Sequence, residues 1–184
     1  AVSEDNVQLD FTSVYFACLF GEDVDVRDAA IRGLWECEDR TLIQPLLVMA
    51  ETDNSVKVRT SAVVALGKFV TMAQENKLVT RDKIKISSVL MGIIREESEY
   101  IEVRRRAIES IADLGVAEVD GIIDVAYNSD VLEFKQSALY AMGRSSNPEW
   151  ISTILLEMQN KDSAMRYEAT VAAGFLGEES IVPI

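Results

Sequence analysis

The chain contains no histidine. That absence removes histidine acid–base catalysis, Ser-His-Asp triads, and histidine-ligated zinc or di-iron centres together. Cysteine is confined to Cys18 and Cys37, in separate helical segments and without metal-ligand spacing. Two small buried thiols in a reducing cytoplasm are expected rather than a disulfide framework. Only three prolines and nine glycines punctuate the chain, and no glycines cluster into a phosphate-binding loop. No window approaches the roughly 18 consecutive apolar residues of a membrane-spanning helix. The stretch Ala1–Asp10 is acidic and polar, where a signal peptide would be basic and then apolar. These absences point to a cytoplasmic protein with no metal and no cofactor.

Positive charge is also scarce, with 18 Lys and Arg against 31 Asp and Glu, a net of −13. Residues 1–54 carry 3 basic and 12 acidic side chains, residues 55–110 carry 11 and 7, and residues 111–184 carry 4 and 12. Acidic ends flank a mildly basic waist. An acidic molecule repels polyanions at long range, which weighs against nucleic acid as a partner. The basic island of Arg104, Arg105 and Arg106, with Lys83, Lys85 and Arg95 nearby, stands beside Glu102 and Glu109. Pairing at i,i+4, as for Glu102 with Arg106, accounts for it economically. The carboxylate runs Glu96-Glu97-Ser98-Glu99 and Glu36-Cys37-Glu38-Asp39 lack the spacing of a calcium loop and read as solvated surface.

What the chain does contain is one short phrase written five times: an apolar residue, a cation, and an alanine three positions after the cation. The copies begin at Val26, Val58, Val103, Phe134 and Met165, with cations Arg27, Arg59, Arg104, Lys135 and Arg166 and alanines Ala30, Ala62, Ala107, Ala138 and Ala169. The cations are 32, 45, 31 and 31 residues apart. A period in that range marks stacked supersecondary units. Apolar residues recur at helical rather than β spacing, so the class is all-α.

The fourth copy shows the grammar. Val119, Ile122, Ile123 and Ala126 form one stripe, Asn128-Ser129-Asp130 reads as a turn and N-cap, and a second helix carries Phe134, Ala138, Leu139 and Met142 inward. Gly143 reads as its C-cap. Other first-helix stripes lie in 11–20, 42–50, 84–94 and 150–158. The recurrent alanine lets two helices cross closely. The recurrent cation sits in the first turn of its helix, where the macrodipole disfavours it. A carboxylate partner in an inter-repeat turn, such as Asp23, Asp53, Asp130 or Asp162, is therefore expected. The long interval before Arg104 is expected to lengthen the helix through Phe69–Lys77 and the connector Leu78–Asp82.

The strings DVRDAAIRGL, KVRTSAVVALG, FKQSALYAMG and MRYEATVAAGFLG resemble bacterial HEAT-like repeats of the phycobilisome-lyase type, and the resemblance covers essentially the whole chain. It implies a right-handed α-α superhelix, an armadillo-like α-solenoid, of about five helical hairpins. The units are near 9–38, 41–78, 81–115, 117–144 and 148–177, with a further unit opening at 179–184. A solenoid needs polar caps, so the chain reads as a single repeat domain cut from a longer protein. The iron-binding His-Glu pairs of similar hydroxylases have no counterpart here.

In such stacks the second helices line the concave face. Positions one, five and eight or nine after each cation avoid the core stripe. They hold Asp28, Arg32 and Trp35; Val64 and Lys68; Arg105 and Glu109; Gln136, Tyr140 and Arg144; Tyr167 and Phe175. Trp, Tyr and Arg are common interface anchors. Arg32, Trp35, Lys68, Arg105, Glu109, Tyr140, Arg144 and Tyr167 are therefore the candidate partner-binding residues. The expected function is non-enzymatic, a scaffold or adaptor holding another protein or a peptide segment. The resemblance offers a phycobilin lyase subunit, or a chaperone-like component of one, as an alternative. Nucleic-acid binding through the waist ranks third.

Overall fold

The computed structural model describes residues 10–145 and 147–177, and the opening of a sixth unit expected at 179–184 lies outside them. Among the described residues there are ten α-helices and no strand: α1 Thr12–Cys18, α2 Val24–Gly33, α3 Ile43–Thr52, α4 Val56–Gln74, α5 Thr80–Arg95, α6 Ile101–Ile111, α7 Ala117–Tyr127, α8 Leu132–Arg144, α9 Ile151–Glu157 and α10 Ser163–Leu176. No helix among them is long and apolar enough to cross a membrane.

Each odd helix packs on the even helix that follows it, and each even helix also packs on the next even one, from α2 through α4, α6 and α8 to α10. All five repeat alanines are buried, as are the larger residues that follow them, Ile31, Leu34, Val63, Leu66, Ile108 and Ile111. These side chains join Phe69, Leu90, Ile123 and Leu139 in one continuous core. Burying each of the large ones contributes about 1.5–3 kcal/mol. The alternation of small and large residues on the even helices is thus what makes five copies of one phrase stack.

Four of the five repeat cations resolve the dipole problem by reaching backwards, Lys135 being the exception. Arg27 Nη1 donates to the carbonyls of Gly21 and Glu22, Arg59 Nη1 to that of Asp53, and Arg166 Nη1 to those of Asn160 and Lys161. Arg104 Nε donates to the carbonyl of Ile94 in the last turn of α5. The charge rests on carbonyls at the end of the preceding helix and in its turn, where a cation is favourable. Two cations also meet carboxylates of the next unit: Arg27 forks onto Asp53 at 2.9 Å through both nitrogens, and Arg59 onto Glu99 at 2.8 Å. The Asp53 expectation therefore holds. Asp23 and Asp162 instead accept backbone N–H groups at the starts of α2 and α10. Asp130 makes no side-chain hydrogen bond or ion pair among the described residues. In the fourth unit an aromatic ring takes the carboxylate's place, with the Arg104 guanidinium 5.1 Å from the Phe134 ring centroid.

Several expectations need correction. Glu99 is not solvated surface, because Arg59 and its own turn enclose it. Gly143 caps nothing: it lies inside α8, buried, against the backbone of Ala172 on α10. The α8 N-cap is Val131, without a side-chain cap, and Ser129 Oγ accepts the Val131 N–H. The long interval does lengthen α4, to 19 residues, but the connector ends earlier than expected. Helix α5 begins at Thr80, and Asp82 in its first turn is held by Arg40. Cys18 and Cys37 are free and half-buried, not fully buried.

Candidate binding groove

An open groove of about 750 Å³ runs across the even helices, from the end of α2 to α10. Seven of the eight candidate residues line it: Trp35, Lys68, Arg105, Glu109, Tyr140, Arg144 and Tyr167. Arg32 lies outside it and lines an adjoining hollow of about 520 Å³, which shares Trp35, Val64, Lys68 and Arg106 with the groove. One position was misread, because Asp28 is buried rather than outward. It accepts a 2.5 Å hydrogen bond from Ser61 on α4 and ion pairs from Arg32 and Lys57. Arg32 therefore serves partly to neutralise Asp28.

The groove wall is held rigid by its own polar network. Arg105 and Arg106 both pair with Glu102 and Glu109, as the i,i+4 reading of the basic island expected. Glu109 in turn accepts a 2.6 Å hydrogen bond from Ser137 on α8. Arg144 forks onto Asp113 and lies 5.4 Å from the Phe175 ring centroid. Tyr140 meets the same ring edge-on at 5.3 Å, a favourable geometry for paired aromatics. The Lys68 ammonium is turned onto the carbonyls of Leu34, Trp35 and Cys37, so it caps the end of α2 as well as lining the groove. Burial lowers its pKa, with Cys37 and Glu38 opposing. Burial likewise raises that of the Tyr140 hydroxyl.

Two aromatic side chains of the groove lining remain uncovered, Trp35 at 65% exposure and Tyr167 at 66%. They stand on α10 and just beyond α2, the first and last even helices, with Val64, Gln136 and Tyr140 between them. The arrangement offers separated aromatic surfaces over a floor of fixed charges. Among the described residues no cluster of His, Cys, Asp and Glu could hold a metal ion. Sequence reasoning missed Glu38, Thr71, Asp113 and Glu168 of the lining. Glu168 had a readable signal, since it falls two positions after the repeat cation, the register of Ser61 and Ser137. Compared with known proteins, the chain matches no family model and no curated protein.

Proposed function

We propose that this chain is a non-enzymatic, cytoplasmic scaffold that holds a segment of another protein in the groove across its even helices. The helix order agrees with a HEAT-like, right-handed α-solenoid, in which that groove would be the concave face. The observation that carries the functional reading is the convergence of seven candidate residues, chosen by repeat register, on one groove of about 750 Å³. Rigid aromatic anchors with few rotatable bonds bind at low entropic cost. A wall whose cations are already engaged resists nucleic acid, which needs free Lys and Arg for its phosphates. Most of the basic island is engaged as well: Arg95 pairs with Glu118 and Arg104 to Arg106 all have partners, which leaves Lys83 and Lys85 without an acidic partner among the described residues.

Affinity capture from a lysate of the source organism, with the chain as bait, tests this reading. A partner retained by the parent should be lost by Trp35→Ala/Tyr140→Ala, with a fall in affinity of at least tenfold, as truncating anchor aromatics commonly costs about 2 kcal/mol or more. Phe20→Ala, outside the groove, should leave capture unchanged. Capture indifferent to the paired substitution would refute the groove as the binding surface.

A further inference from the structure

We infer that the groove's occupant is a cationic protein segment, one Lys or Arg of which pairs with Glu168. This rests on the groove being the binding surface and adds the chemistry of what it holds. The groove is lined by five cations, Lys68, Lys77, Arg105, Arg106 and Arg144. Every one is already satisfied, by Glu75, Glu102, Glu109 and Asp113 or, for Lys68, by backbone carbonyls. Its carboxylates are not all satisfied. Glu38 and Glu168 make no hydrogen bond or ion pair among the described residues, so the uncommitted charge of the groove is negative at both ends. Each lines the same groove as an uncovered aromatic residue close to it in sequence, Glu38 three residues from Trp35 and Glu168 next to Tyr167. A ring face and a carboxylate together suit a Lys or Arg head group with its aliphatic stem.

Glu168 is the more telling of the two because two of the other four copies show what its position can do, the remaining two holding Ala29 and Arg106 there. At the same register Ser61 donates to Asp28 of the preceding unit, and Ser137 donates to Glu109 of the preceding unit. A hydroxyl there closes the seam between neighbouring even helices. The fifth unit carries a half-buried carboxylate instead, with no hydroxyl to offer and no cation of its own. Burial, and then the neighbouring Glu109, push its carboxyl up, while Arg105 and Arg106 pull the other way without prevailing. The fold leaves this charge under-compensated, and a docked cation would compensate it. The overall net charge of −13 would speed the encounter but would not place the cation.

A displayed library of random peptides, panned on the full chain, separates placement from general attraction. Peptides retained by the parent and lost on Tyr140→Ala should be enriched in Lys and Arg. With one such peptide labelled, Glu168→Gln should weaken binding about tenfold in fluorescence anisotropy, in line with the loss of a charge-assisted pair. Glu133→Gln, which makes the same change in net charge on the exposed start of α8, should leave affinity unchanged. Glu168→Lys as bait should turn the selection toward Asp and Glu. Helical circular dichroism of each variant guards against misfolding. Tyr140-dependent peptides that are neutral or acidic would overturn the cationic occupant while leaving the groove in place. Equal losses from Glu133→Gln and Glu168→Gln would overturn the Glu168 pairing. If no peptide depends on Tyr140 or Trp35, the groove reading falls and this inference falls with it.

Discussion

Arg59→Ala is expected to destabilise the protein by about 3 kcal/mol, lowering Tm by roughly 6–12 °C, because it strands a nearly enclosed carboxylate. The two side chains of the Arg59–Glu99 pair are each only 12% exposed, and both guanidinium contacts are 2.8 Å long. Removing the arginine also releases the carbonyl of Asp53, whose own carboxylate is gripped by Arg27. One residue thus ties the second unit to the third and steadies the link from the first. Arg59→Lys keeps the charge but not the planar fork, and should recover only part of the loss. The pH dependence follows from Glu99. Burial would raise its carboxyl, but the hydrogen bonds from Arg59 and the Tyr100 N–H, with the Arg59 charge, carry it below the usual value. A depressed folded-state pKa contributes stability above the unfolded value, about 4.3, and loses it as pH falls through the folded one. Parent and variant should therefore differ most near neutrality and converge in acid, read by thermal unfolding across pH. A variant within about 0.5 kcal/mol of the parent at pH 7 would leave the repeat cation without a stabilising role.

The repeat phrase made the architecture legible because it encodes burial directly. An alanine three positions after a cation is a fixed rotation on a helix, and all five alanines are in the core. The same register found seven of the groove residues, since positions one, five and eight or nine after the cation mostly point away from that core stripe. What register does not encode is the partner of a polar side chain. Asp28 has the spacing of an outward residue, yet Ser61 and Lys57, 33 and 29 positions on, draw it into the seam. Glu99 reads as one of three acids in a four-residue run, and only the fold brings Arg59 across 40 residues to cover it. Glu168 was overlooked for the converse reason. A lone carboxylate looks unremarkable in an acidic chain until its neighbours prove to be spoken for.

The second large effect is expected at Gly143, where helix propensity alone would choose the opposite sign. A glycine inside a helix usually costs about 1 kcal/mol relative to alanine, so Gly→Ala should stabilise. At Gly92, in α5, an added Cβ meets nothing within 4 Å, and Gly92→Ala should gain about 0.5–1 kcal/mol. At Gly143 the added Cβ would lie 2.5 Å from Cα of Ala172 and 2.6 Å from its carbonyl oxygen. Those are backbone atoms of α10, and they cannot yield by changing a rotamer. The two helices must part, at an overpacking cost of about 1–3 kcal/mol that outweighs the propensity gain. With the propensity gain set against it, a net loss of about 1 kcal/mol is expected in denaturant unfolding. Ala172→Gly should not restore it, because the obstruction is main chain rather than the alanine methyl. The same displacement reaches function, since α8 carries Tyr140 and Arg144 while α10 carries Tyr167, Glu168 and Phe175. Gly143→Ala should therefore also weaken peptide binding, and more than its loss of stability accounts for at a temperature where the variant is still folded. A stabilised Gly143→Ala variant with undiminished binding would mean that α8 and α10 do not cross this closely. The edge-on contact of Tyr140 with Phe175, and the groove wall built on it, would then need a different packing.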